Sequence, residues 1–165
     1  MKPEIIYLAR DRYAQEHKQF NQIAEKAGRI IVVITLIISL LTAAMALFAD
    51  AIFSPRGFLE WTILLCQVFA LFCLVCAWGH ALLAIKFGAN QVPPFQKHEF
   101  DHLQQASREG MYRYILSFYV EPSEKLADVN IEKAKYLKFS YEELAIGGYL
   151  LAILLILFFV KKILQ

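Results

Sequence analysis

The apolar residues of this chain fall in three blocks set between polar stretches. Ile30 to Ala49 is a run of twenty residues without a charge, which at about 1.5 Å per helical residue matches the roughly 30 Å hydrocarbon core of a bilayer. Trp61 to Ile85 is twenty-five residues with no Asp, Glu, Lys or Arg. Leu144 to Val160 is a third run of seventeen, at the lower limit for a span. The pattern predicts a membrane-crossing helix for each of the first two. For the third it predicts a span, with a buried or interfacial helix as the alternative. Residues 4–29 lack proline and place apolar side chains at Ile5/Ile6, Ala9, Tyr13, Phe20, Ile23/Ala24 and Ala27, close to helical spacing. They read as a helix running into the first span. Val92-Pro93-Pro94 ends the second, and a helix is expected from Phe95 to Val120. Glu121-Pro122-Ser123 is the next expected break, and from Glu124 one helix continues into the third run, with Gly147-Gly148 as its weak point.

The resulting fold class is an all-α integral membrane protein. Residues 1–29 form a juxtamembrane helix, 30–85 a two-span helical hairpin, 86–143 a cytosolic helical region, and 144–165 a third C-terminal span and tail. Composition agrees. Of 165 residues, 58% are hydrophobic and 19% charged, which excludes a disordered chain, a disulfide scaffold and an ordinary soluble enzyme. The net charge of +2 is too small for a protein that coats nucleic acid. Almost thirty mostly polar residues precede the first apolar block, so the beginning of the sequence does not read as a signal peptide. Lys and Arg number six before Ile30, one (Arg56) in residues 50–60, eight in 86–143 and two in the tail. This bias predicts a multi-pass protein whose N-terminus and residues 86–143 are cytoplasmic and whose short loop is outside. Lys161 and Lys162 then fall on the outer side, the one mark against a full third span.

Motifs for chemistry are scarce. Cys73-x-x-Cys76 lies in an apolar helix and reads as packing, as does Cys66. There is no G-x-S-x-G and no glycine-rich phosphate loop. His98-Glu99-x-x-His102 has the spacing of a helical zinc site with Glu99 as general base. Asp101 between the histidines and the small polar region argue against it, so a zinc membrane protease is kept only as an alternative. No catalytic residue, metal or cofactor is expected, and the chain is not read as an enzyme.

On the first span Thr35, Ser39 and Thr42 recur every four and three residues, on one face. Cys66, Ala70, Cys73, Ala77 and His80 do so on the second. Small and hydroxyl faces permit close helix packing. Alternatively they line a pore, with Gln67 and His80 as the most polar members of their helix. Three spans are too few to enclose water, so such a pore requires a homo-oligomer. The polar region interleaves Arg108, Tyr112, Arg113, Tyr114 and Tyr119, then Lys133, Lys135 and Phe139. Cations with aromatic rings suit phosphates and bases, while helix packing or an interfacial aromatic belt accounts for the same rings.

Tyr7-x-x-Arg10-x-x-Tyr13-x-x-x-His17-Lys18-x-Phe20-Asn21 before two closely spaced spans, followed by further helices, resembles the SLATT family of small bacterial membrane proteins. The resemblance covers residues 5–85 best; the third apolar run departs from the two-span core. It implies a pore-forming effector of anti-phage defence, encoded near a nucleotidyltransferase as in the Hailong type. The pore would be gated by a nucleotide or short single-stranded oligonucleotide, with depolarisation and growth arrest as the outcome. On that implication Arg108, Tyr112, Arg113, Tyr114, Tyr119, Lys135 and Phe139 are the ligand candidates. Thr35, Ser39, Thr42, Gln67 and His80 are the pore candidates. A non-conducting membrane anchor for a defence partner is the other reading.

Overall fold

The computed structural model describes residues 4–47, 55, 57–86 and 108–164, and among these the regular structure is entirely helical. α1 runs from Glu4 to Leu47, α2 from Phe58 to Lys86 and α3 from Arg108 to Leu164. Their 44, 29 and 57 residues correspond to about 66, 43 and 86 Å at 1.5 Å per residue. Residues 4–29 and the first apolar block as far as Leu47 are one uninterrupted helix, as the sequence predicts. All three helices are long and apolar enough to cross a membrane.

Contacts along the helices set their directions. Glu16 of α1 meets Asn130 of α3, and four residues on Phe20 meets Lys133, so α1 and α3 run parallel. Glu60 meets Lys161, Gly147 faces Leu74, and Ser140 bonds to Ala77, so α2 runs antiparallel to α3. α2 therefore packs with only the apolar halves of its two neighbours. The first halves of α1 and α3 continue past it as a two-helix stalk.

A heptad-like seam holds the helices. The buried residues of α2 are Ile63, Gln67, Ala70, Leu74, Ala77, Ala81 and Ala84, alternately four and three apart. On α3 Ser123, Leu126, Asn130, Lys133, Leu137 and Ser140 continue the same spacing. On α1 the series is Ala9, Tyr13, Glu16, Phe20, Ile23, Ala27, Ile30 and Ile34, with those at 9, 27, 30 and 34 buried. A repeat averaging 3.5 residues keeps one stripe of each helix facing its partners when the helices supercoil left-handedly. Ala27, Ile30, Ile34, Leu74, Ala77, Ala81, Ala84 and Leu137 form the larger core cluster; Ile63, Ala70 and Leu154 form a second. Alanine every seventh position on α2 lets the backbones approach closely. Away from the seam, Val32, Leu36, Leu40, Phe69, Phe72, Leu155 and Phe159 are exposed. An apolar surface this continuous suits lipid rather than water.

Two sequence expectations change here. The break at Glu121-Pro122-Ser123 does not occur: α3 passes through Pro122 without interruption. An interior proline costs a helix roughly 3 kcal/mol. Tyr119 against Tyr13 before it and buried Ser123 and Leu126 after it hold the helix together, and Ser123 Oγ donates 2.9 Å to the Val120 carbonyl. Nor does α3 break at Gly147 and Gly148; Gly147 is a buried contact point against Leu74. At the far end Lys161 pairs with Glu60 at 2.7 Å. The Glu60 carboxylate offsets one of the two tail charges beside the start of α2.

Candidate functional site

The polar residues that the fold draws together lie in the stalk seam. Asn130 Nδ2 donates to both the backbone carbonyl and Oε2 of Glu16, each at 2.9 Å. One turn further along α3, Lys133 is fully buried, with Nζ 3.4 Å from the centroid of the Phe20 ring. Neither Lys133 Nζ nor Asn130 Oδ1 has a hydrogen-bond partner among the described residues. Burial favours the neutral amine and lowers the Lys133 pKa from its ordinary value. Tyr13, His17 and Phe20 lie along α1 as a ladder, with centroids 6.2 and 6.5 Å apart and rings nearly coplanar in orientation. Tyr119 of α3 closes the far end, 6.1 Å from Tyr13. Tyr13 and Phe20 thus belong to the α1 side of this seam, and His17 lies exposed between them.

A second polar group lies where the stalk meets the bundle. His80 Nδ1 is 2.7 Å from Glu143 Oε2, and its ring lies 5.7 Å from that of Phe139 and 6.3 Å from that of Tyr136. Beside it Ser140 Oγ, buried, donates 2.7 Å to the Ala77 carbonyl. These contacts join α2 to α3 through directed bonds, in addition to apolar packing.

The pore candidates do not share a wall within one chain. Thr35, Ser39 and Thr42 are on the exposed side of α1, and each hydroxyl donates to the carbonyl four residues earlier, at 2.7 to 2.8 Å. Gln67 is turned into the seam, with Oε1 lacking a partner among the described residues. His80 is engaged by Glu143.

Of the ligand candidates, Tyr112 is half-buried. Arg113 is exposed and pairs with Glu109 at 3.2 Å, and Tyr114 is exposed. Tyr119 is engaged with Tyr13 and Phe118. Lys135 and Phe139 are exposed near the bundle. Arg108 opens α3, and its side chain lies outside the described residues. The sequence places Lys135 and Phe139 on a separate helix able to complete a site with Tyr112; because α3 is continuous, Tyr112 and Lys135 stand about 35 Å apart along one axis. Within a chain the seven residues form two groups.

His98, Glu99 and His102 lie outside the described residues. Among the described residues no three His, Cys, Asp or Glu side chains group as metal ligands. The three cysteines are free and partly buried. Sequence reasoning did not single out Glu16, Asn130 and Lys133 as a unit. The signal was their place in the four-three spacing, which makes Asn130 and Lys133 core positions. No family model, curated protein or solved structure matches the chain.

Proposed function

We propose that the chain is a homo-oligomeric pore effector of the bacterial inner membrane, controlled through its stalk by a nucleotide or short single-stranded oligonucleotide and acting in anti-phage defence beside a nucleotidyltransferase. The observation that carries this reading is the continuity of α1 and α3 from a polar stalk into an apolar bundle. A helix transmits displacement along its length, so a ligand with different affinity for two stalk arrangements biases the bundle attached to it. The larger core cluster of each chain consists of alanine, leucine and isoleucine. A conducting path therefore belongs between subunits, where the exposed Thr35, Ser39 and Thr42 are available. The resemblance of residues 5–85 to SLATT effectors supports the defence role.

Flux through proteoliposomes tests the pore. Wild type is expected to dissipate an ion gradient, and Ser39→Trp or Thr42→Trp to change the rate at least several-fold by placing bulk on that line. A protein that is monomeric in several mild detergents and electrically silent removes the pore. The non-conducting anchor then stands, a reading favoured by the hydroxyls' satisfaction within their own helix.

Ligand control has its own test, using ATP, GTP and short single-stranded DNA as probes. Tyr112→Ala and Arg113→Ala are expected to weaken binding while preserving assembly, and higher salt to weaken it further if phosphates are held. Equal binding by wild type and both variants excludes this end of α3 as the site.

The orientation places the N-terminus and stalk in the cytoplasm. In a variant lacking native cysteines, Ser54→Cys is expected to react with an impermeant thiol reagent on intact cells, and Ser107→Cys only after lysis. The opposite pattern inverts the topology.

A further inference from the structure

The parallel register of α1 with α3 and the antiparallel register of α2 bring five basic residues to one zone of the molecule, where the stalk meets the bundle. Lys26 and Arg29 lie on α1, Lys86 ends α2, and Lys135 and Lys138 lie on α3. With Glu16 level with Asn130, Phe20 with Lys133 and Ala77 with Ser140, Lys86 falls level with residue 131 of α3 and Arg29 with residues 142–143, so all five lie within about three helical turns, roughly 17 Å along the axis. All are exposed. Arg29 pairs with Glu25, and Lys138 lies 3.6 Å from Glu142. Among the described residues, no carboxylate is within ion-pairing distance of Lys26, Lys86 or Lys135. Because the five come from all three helices, they form a collar around the bundle at the foot of the stalk. Trp78 and Tyr141 are exposed near the same level, and the apolar faces of the three helices lie beyond it. Cations with Trp and Tyr at the margin of an apolar band are the side chains suited to an interface of headgroups and water. The other end of the bundle differs: Lys161 is held by Glu60.

We infer that this collar binds the headgroups of anionic phospholipid, with Lys26, Lys86 and Lys135 as the phosphate-binding cations. The inference rests on the bundle's spanning a bilayer, and it is independent of conduction. Lipid held there ties the foot of the stalk to the membrane surface. It also gives Lys135 a role that does not require Tyr112, about 35 Å away along α3.

The chain contains two tryptophans, Trp61 near the start of α2 and Trp78 seventeen residues further on, about 25 Å along the helix, so each serves as a local reporter. The test uses the full chain carrying Trp61→Phe, reconstituted with brominated phosphatidylglycerol or brominated phosphatidylcholine at equal mole fraction. Trp78 is expected to be quenched several-fold more effectively by the anionic lipid. Combined Lys26→Gln, Lys86→Gln and Lys135→Gln is expected to abolish the preference, and each single substitution to reduce it, which guards against failure of the triple variant to fold. A Trp78→Phe protein, reporting from Trp61, is expected to show no preference. Equal quenching of Trp78 by the two lipids overturns the collar while leaving the membrane span intact. No quenching of either tryptophan by either lipid overturns the span and the collar with it. Loss of the preference on adding millimolar inorganic phosphate or ATP makes the collar a site for free phosphate and overturns the lipid assignment.

Discussion

Gly147→Leu is expected to separate α2 from α3, whereas Gly148→Leu, one residue on, leaves them together. A Cβ built at Gly147 lies 3.3 Å from Leu74 Cδ2 and 3.7 Å from the Ala70 carbonyl oxygen; one at Gly148 has nothing within 4 Å. An alanine at 147 requires Leu74 to yield by a few tenths of an ångström. A leucine places three further carbons where Leu74 and the α2 backbone already stand, and overpacking of this kind costs about 1–3 kcal/mol. At Gly148 the added side chain points to open space, and replacing a helical glycine gains up to about 1 kcal/mol. Cys66, Cys73 and Cys76 are free and partly buried on α2, so their reaction with a thiol probe during heating reports the separation. The midpoint should fall for Gly147→Leu and hold or rise for Gly148→Leu. Equal shifts at the two positions would falsify the packing of α2 against this face of α3.

Replacing Lys133 with methionine should make the stalk more stable. The lysine puts an ammonium in a fully buried core position, 3.4 Å from the centroid of the Phe20 ring. Removing an ion from water costs several kcal/mol even after relaxation, and a desolvated cation–π contact returns about 2 kcal/mol. Methionine has nearly the same length, keeps contact with the ring and carries no charge, so a gain of about 1–4 kcal/mol is expected. The sign of the pH dependence follows from the same burial. The folded stalk favours the neutral amine, so the Lys133 pKa is lower folded than unfolded. Wild-type stability therefore rises as pH climbs through the lowered value toward the ordinary one near 10.4. The methionine variant lacks this contribution, so its advantage narrows with increasing pH. Hydrogen exchange of residues 9–23 and 119–137 in both proteins, at neutral and alkaline pH, measures it. Slower exchange in wild type than in the variant at neutral pH would show that the lysine stabilises the seam.

These two positions mark opposite ends of one design. The bundle is joined by close alanine and glycine contacts and by the Ser140 and His80 bonds. The stalk is joined by a seam that includes a buried cation and an incompletely bonded asparagine. Polar residues at such positions fix the register of a coiled coil at some cost in stability. The Glu16–Asn130 bonds are the register mark here, and the cost makes the stalk the easier part to open.

Taken alone, the sequence determined that the chain is helical and that three segments are apolar enough to cross a membrane, because uncharged runs of seventeen to twenty-five residues leave few other solutions. It also determined that residues 4–29 continue into the first apolar block, since nothing between them breaks a helix. Four-three spacing was present along α2 and α3, but hydrophobicity does not display it: α2 is apolar on every side, and the seam of α3 includes Ser123, Asn130, Lys133 and Ser140. Tertiary structure decided which stripe turns inward, because only a partner helix distinguishes one apolar face from another. It carried α3 through Pro122, where packing on both sides offsets a local penalty that sequence reading takes as a boundary. It also separated Tyr112 from Lys135, turned the Thr35–Thr42 hydroxyls outward, and paired His80 with Glu143 and Lys161 with Glu60. Those results depend on how far one helix is displaced along another, which the contacts between helices set and the pattern within each helix does not.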